Sequence, residues 1–181
     1  VLVALTGRVS PAAASAPRPT PVVPAPTTRP APVAPRPPTP AARPFVTHYV
    51  QHVDTRDPVV FLTVDDGSYP DRAFLARVRR DHLPVTVFLT NAAAGGARAD
   101  YFRALQSAGA VIEDHTLRHP DLTRVSASTR REEVCGAADR DRSVFGHRAT
   151  LLRPPYGAWN AAVMATARAC GLHAVVGWDA V

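Results

Sequence analysis

The sequence predicts an α/β fold, an incomplete (β/α) barrel of parallel strands with outer helices, preceded by a disordered Pro-rich segment. Apolar, β-branched runs without polar alternation read as strands covered on both faces, as in parallel sheets. Those runs alternate with helical periodicities, which calls for parallel neighbours joined by right-handed crossovers. Five such strands are too few to close a barrel of the usual size. With 46% of 181 residues hydrophobic, the chain can bury a core of its own.

The first strand, Val59 to Val64, stops at Asp65-Asp66-Gly67. Its C-terminal end is where α/β folds carry their chemistry, and Gly67 lets the chain turn away. Two readings of the acidic pair stand open, a cap for the following helix or a pair of functional carboxylates. Asp71 to Asp81 places Phe74, Leu75 and Val78 on one helical face, and Leu83-Pro84 ends it. Val85 to Thr90 is the second strand, Asn91 to Gly96 a small-residue loop, and Asp100 to Ala108 a helix closed by Gly109. Ala110 to Ile112 is the third strand, ending in Glu113-Asp114-His115. A long helix follows from Ser126 to Phe145, with Thr129-x-x-Glu132 as a capping box. Thr150 to Arg153 is the fourth strand, ended by Pro154-Pro155-Tyr156-Gly157. Asn160 caps a helix through Cys170, Gly171 closes it, and His173 to Trp178 is the fifth strand.

Ahead of these elements, residues 1–16 read as the remnant of a secretory signal, with small residues Ala12 to Ala16 as its cleavage region. The absence of an initiator Met predicts a start inside a longer reading frame. Residues 17–44 are a Pro-rich linker, and the catalytic domain is expected over 45–181. The lead-in from Phe45 to Asp57 has no readable role; its His48 and His52 are taken as surface side chains rather than ligands. The formal charge is +6, but Arg8, Arg18, Arg29, Arg36 and Arg43 precede the domain and leave it at about +1, which argues against nucleic acid as a partner. No run approaches the ~18 apolar residues of a membrane span. Cys135 and Cys170 are either two buried thiols or, in an exported protein, a disulfide stapling two neighbouring helices. The expectation is a monomer, secreted or associated with the cell wall.

Three strand ends deliver unusual polar groups that a parallel fold brings to one rim: Asp65-Asp66, then His115-Thr116-Leu117-Arg118-His119, then Arg153-Pro154-Pro155-Tyr156-Gly157. His-x-x-x-His places two imidazoles on one side of a helical turn, and a carboxylate from another strand completes a three-ligand face with one position open. Two nitrogens and one oxygen suit zinc or a neighbouring divalent transition ion better than magnesium or calcium.

These three motifs, in this order and spacing, resemble those of the polysaccharide deacetylases, the NodB homology domain of carbohydrate esterase family four. The first resembles Thr63-Val64-Asp65-Asp66-Gly67, with Val64 where Phe is more usual, and the second continues through Pro120-Asp121-Leu122. The resemblance covers Val59 to Val181 and implies a distorted, incomplete barrel that hydrolyses acetyl groups from amino sugars of a polysaccharide such as peptidoglycan or a chitin-like polymer. It implies that Asp66, His115 and His119 bind a divalent metal, Zn2+ first among candidates. Asp65 would be the general base toward water activated by that metal. The Tyr156 backbone N–H would stabilise the oxyanion, and Arg153 would hold Asp65 in position. Asp114, where the family often has Asn, is expected to orient the His115 loop. Trp159 lines either a sugar-stacking wall or the core, and Tyr156 could be a core aromatic without losing its backbone role. His147 and His173 are read as structural. The family's fourth motif, an Asp-Trp pair, and its fifth, a Leu-x-His supplying the general acid, are expected beyond Val181, so turnover by this chain is expected to be impaired. Two alternatives stand beside this reading: an O-acetyl polysaccharide esterase, and a non-catalytic wall-binding module, which loss of a metal ligand would favour.

Overall fold

The computed structural model describes residues 46–178; the expected signal remnant and Pro-rich linker lie outside the described residues. Six strands form one parallel sheet: β1 (His48–Val50), β2 (Leu62–Asp66), β3 (Val85–Leu89), β4 (Val111–Asp114), β5 (Leu151–Leu152) and β6 (Ala174–Val176). Their spatial order is β1-β6-β5-β4-β3-β2, and the sheet curls into a half-barrel. Helices α1 (Arg72–Asp81), α2 (Ala97–Ser107), α3 (Ala127–Phe145) and α4 (Ala161–Ala169) connect the strands after β2. Every strand pairing is parallel, as expected for strands separated by helices.

Two apolar clusters fill the interior. One joins Val78 of α1, Val87 and Leu89 of β3, Phe102 and Leu105 of α2 and Ile112 of β4. The other joins Val134 of α3, Leu152 of β5, Val163 of α4 and Val175 of β6. Asp71 caps α1 by accepting from the Ala73 N–H, and Asn160 caps α4 by accepting from the Ala162 and Val163 N–H groups. At α3 the cap is Ser126, which accepts from the Thr129 N–H, so the capping box expected at Thr129 is not used.

Three expectations need correction. The apolar run Val59 to Val64 is not a strand buried on both faces. Val60 and Phe61 are 89% and 65% exposed, and β2 begins only at Leu62 as an edge strand paired with β3 alone. Asp65 and Asp66 are therefore the last two residues of the strand itself, anchored in register with Phe88 and Leu89. The alternation of strand and helix also has an exception, because the lead-in contributes β1 at the opposite edge, beside β6. A three-residue strand is too short to show a period. Finally, α2 begins at Ala97 rather than Asp100.

Cys135 of α3 and Cys170, the C-cap of α4, form a disulfide, with Cα atoms 5.0 Å apart. It closes a separation of 35 residues. Loop-closure entropy for that length corresponds to about 3–4 kcal/mol. Replacing both cysteines by Ser is expected to lower unfolding stability by about that much, read from denaturant titration of the oxidised wild type against the variant.

Candidate active site and metal centre

The tip of β2, the loop after β4 and the turn after β5 meet at the C-terminal rim of the sheet. Asp66 Oδ1 lies 3.2 Å from His115 Nε2 and 3.2 Å from His119 Nε2, so a carboxylate and two imidazoles converge on one point. His115 is buried, His119 and Asp66 partly open to solvent. His115 Nδ1 is 2.6 Å from the carbonyl oxygen of Arg153. A carbonyl only accepts, so Nδ1 carries the proton and Nε2 presents its lone pair toward the Asp66 oxygen. Burial pushes the His115 imidazole below its ordinary pKa, which disfavours the doubly protonated ring that would relieve this contact. A lone pair facing a carboxylate oxygen at hydrogen-bond distance is a donor set waiting for a cation. The three residues therefore fit a divalent metal, with an N2O set that suits zinc.

The two histidines do not lie on a helical turn, contrary to the sequence expectation. Residues 115–119 form an irregular loop in which Thr116 and His119 adopt left-handed backbone, at φ of 70° and 64°. Local side-chain bonds favour that shape. Buried Asp114 accepts from the Thr116 N–H at 2.7 Å, and Thr116 Oγ1 accepts from the His119 N–H at 2.9 Å. The expected orienting role of Asp114 thus has a physical form. Asp66 and Tyr156 are also left-handed, at φ of 67° and 60°. Of the five non-glycine residues with positive φ among the described residues, four stand at this site. Backbone held in sparsely populated conformations collects at functional sites. Behind them Gly67 is needed for space as well as for its turn, because a Cβ there would run into Leu89 and Phe102.

Arg153 joins the three segments. Its Nη1 donates to Asp65 Oδ1 at 2.7 Å and to Thr63 Oγ1 at 2.8 Å, its Nη2 donates to the Gly177 carbonyl at 3.1 Å, and its guanidinium carbon sits 4.0 Å from the centroid of Phe88. Its own N–H donates to the Asp114 carbonyl. Asp65 therefore has a fixed orientation beside Asp66 without converging on the two imidazoles as Asp66 does. Thr63 is assigned no role by the sequence, although it shares a strand face with Asp65 by the two-residue period.

Tyr156 is 69% exposed, which removes the core reading of its ring. That ring packs edge-on against His119, 4.8 Å between centroids, and its backbone N–H has no acceptor among the described residues. Trp159 stacks on Tyr49 of β1 at 4.3 Å, with part of the indole exposed. An open cavity of about 370 Å³, lined by Asp66, Ser68, Thr90, Ala92, Ala93, Arg98 and His119, adjoins the ligand atoms. A second cavity of about 220 Å³ lies behind Gly67 among Val64, Phe74 and Phe102 and contains none of the candidate ligands. His48 and His52 are exposed and far along the chain from the cluster, while His147 bonds the Ile112 carbonyl through Nε2 at 2.7 Å, a structural role.

Beneath the rim lies buried acid. Asp141 of α3 accepts from Asn91 Nδ2 at 3.3 Å through one oxygen, and its other oxygen has no partner among the described residues. Burial first, with the nearby Glu113 carboxylate adding to it, raises the Asp141 pKa to about 7; burial also holds Asp114 well above the usual carboxylate range. An unfolded Asp releases its proton near pH ~4, so the unfolded chain gains on the folded one as pH rises from there to about 7. Asp141→Asn is therefore expected to stabilise the protein by up to about 3–4 kcal/mol at pH 8 and only about 1–2 kcal/mol at pH 5. Thermal unfolding at the two pH values checks the difference.

The sequence pattern of the family described as polysaccharide deacetylase matches residues 52–175, which include all three motifs. An uncharacterised protein of Streptomyces coelicolor is 46% identical over 131 residues, 72% of this chain and 52% of that protein. A chitooligosaccharide deacetylase of a Bradyrhizobium strain is 31% identical over 119 residues, 64% of this chain and 54% of that enzyme. The chain thus spans about half the length of these relatives. Among solved structures, a family 4 carbohydrate esterase from Streptomyces lividans in complex with acetate superposes with a TM-score of 0.60 at 27% identity, over 74% of this chain and 64% of that one. With the family pattern spanning most of the described residues, this chain belongs to the polysaccharide deacetylase family.

Proposed function

We infer that the protein is a metal-dependent deacetylase of N-acetylated sugars in a polysaccharide, chitin-like or peptidoglycan. The observation that carries this reading is the convergence of Asp66, His115 and His119 with one imidazole lone pair facing the carboxylate, beside an Asp65 that is tethered separately by Arg153. Asp66 and the two Nε2 atoms would hold the metal, zinc by donor type. When bound, such an ion makes water a nucleophile near neutral pH and withdraws electron density from an acyl oxygen.

The chain's own groups supply the rest. Asp65, oriented by Arg153, takes the proton of the water that attacks the acetyl carbon; collapse of the tetrahedral intermediate breaks the C–N bond, and the amine leaves with a proton, giving acetate and a free amino sugar. The Tyr156 N–H, without an acceptor among the described residues, donates to the oxyanion of the tetrahedral intermediate. The open cavity between His119 and Arg98 gives the sugar room on the solvent side. The Cys135–Cys170 disulfide supports an exported, oxidising setting, consistent with a wall or extracellular polymer as substrate.

The test is acetate release by the zinc-loaded chain from N-acetylated chitooligosaccharides and from acetylated xylan. Release from the first and not the second is expected. Release from xylan alone would replace the amide by an ester as the bond cleaved; because turnover by this chain is expected to be slow, a binding module is left only if a zinc-loaded chain at high concentration and long incubation releases acetate from neither.

A further inference from the structure

We propose that Glu133, on α3, is a positioning residue for the metal site, fixing the loop between the two imidazole ligands so that His119 is already in place before metal arrives. The proposal rests on the reading of Asp66, His115 and His119 as ligands.

The two histidines are held by different means. His115 follows directly from β4, is buried, and has its ring fixed through Nδ1 on the Arg153 carbonyl. His119 stands at the far end of an irregular loop and is more exposed, so its place depends on how that loop is held. On one side the loop leans on the turn after β3, where the Asn91 and Ala92 N–H groups donate to the Thr116 and Leu117 carbonyls. On the other side it is held by α3, at three points around Glu133. Glu133 Oε2 accepts from the Arg118 N–H at 2.8 Å, Oε1 accepts from the Arg118 guanidinium at 2.6 Å, and the Glu133 carbonyl accepts from the Leu117 N–H at 3.2 Å.

Two further features show that this face of α3 is shaped for the loop. Gly136, one turn on, sits where a Cβ would come 3.0 Å from Leu117 Cδ1, so a residue that weakens a helix interior makes room for the loop's side chain. Glu133 is also 2% exposed, and an acid buried to that degree is destabilising unless it is bonded at both oxygens. Both oxygens are used, and both bonds go to Arg118, the residue next to His119. Arg118 Nη2 reaches on to Glu132 at 2.7 Å, a further ion pair from the loop to the same helix.

The experiment titrates zinc into the metal-free chain against a chromophoric chelator, for wild type, Glu133→Ala and Glu133→Gln. Melting temperatures and amide exchange of the metal-free forms are recorded alongside. Glu133→Ala is expected to bind zinc about tenfold more weakly or worse, the range in which loss of a supporting partner of a metal ligand falls, with faster exchange at the Arg118 amide. Glu133→Gln keeps an acceptor for that amide but turns a donor toward the guanidinium, and is expected to lie between, about threefold down. A merely structural residue would lower the melting temperature and leave zinc affinity alone. Wild-type affinity in either folded variant overturns the proposal. A wild-type chain that takes up no zinc would instead overturn the metal reading itself, and the control arm shows it without reference to the variants.

Discussion

Asp65 and Asp66 are neighbours in one strand, yet their substitutions are expected to part company completely. Asp66→Asn removes a charged oxygen ligand from the point where two Nε2 atoms converge 3.2 Å away, and zinc affinity should fall by more than the roughly 10–100-fold that loss of an outer partner costs. Asp65→Asn should leave zinc affinity within a few-fold of wild type, because Asp65 is bonded to Arg153 and is not among the residues whose ligand atoms converge. What it should lose is turnover, by the roughly 10²–10⁴-fold that a positioned general base supplies. Chelator competition and acetate release, run on both variants, separate the two roles. The same loss of zinc from both would merge Asp65 into the ligand set.

The second large effect is expected at Arg153. Arg153→Met keeps much of the stem's packing against Phe88 but removes the donors to Thr63, Asp65 and the Gly177 carbonyl. Asp65 is partly exposed and can be hydrated in the variant, so the cost is smaller than for a fully buried charge pair. About 2–4 kcal/mol of unfolding stability should be lost, measured by denaturant titration. Arg153→Lys should recover little of it, since one ammonium cannot span three acceptors set around a planar fork.

Much of this site can be read from the amino-acid sequence. Asp-Asp-Gly, His-x-x-x-His and Arg-Pro-Pro-Tyr-Gly each end a strand, and the parallel arrangement forces strand ends to one rim. The pairing of Cys135 with Cys170 follows as one of two options, because helices adjacent in such a fold can be stapled. Other features have no local signature. Left-handed backbone at Asp66, Thr116, His119 and Tyr156 is one: Asp and His adopt it more readily than Thr and Tyr, yet no residue type or spacing here marks these four positions for it. The strand His48–Val50 gains its conformation from pairing with β6, formed at the other end of the chain. Val60 and Phe61 lie exposed just ahead of β2, outside the sheet, whereas composition alone reads the whole run as one buried strand. Glu133 stands in a helix of charged residues, fourteen positions beyond His119, and only the fold, by laying the loop onto it, distinguishes it from Glu132.

Metal content by elemental analysis tests most directly whether a divalent metal sits where Asp66, His115 and His119 meet. The purified chain is compared with a variant carrying His115→Ala and His119→Ala. One zinc per chain in the first and none in the second is the predicted result. A folded wild-type chain that retains no divalent metal after exposure to zinc would contradict it.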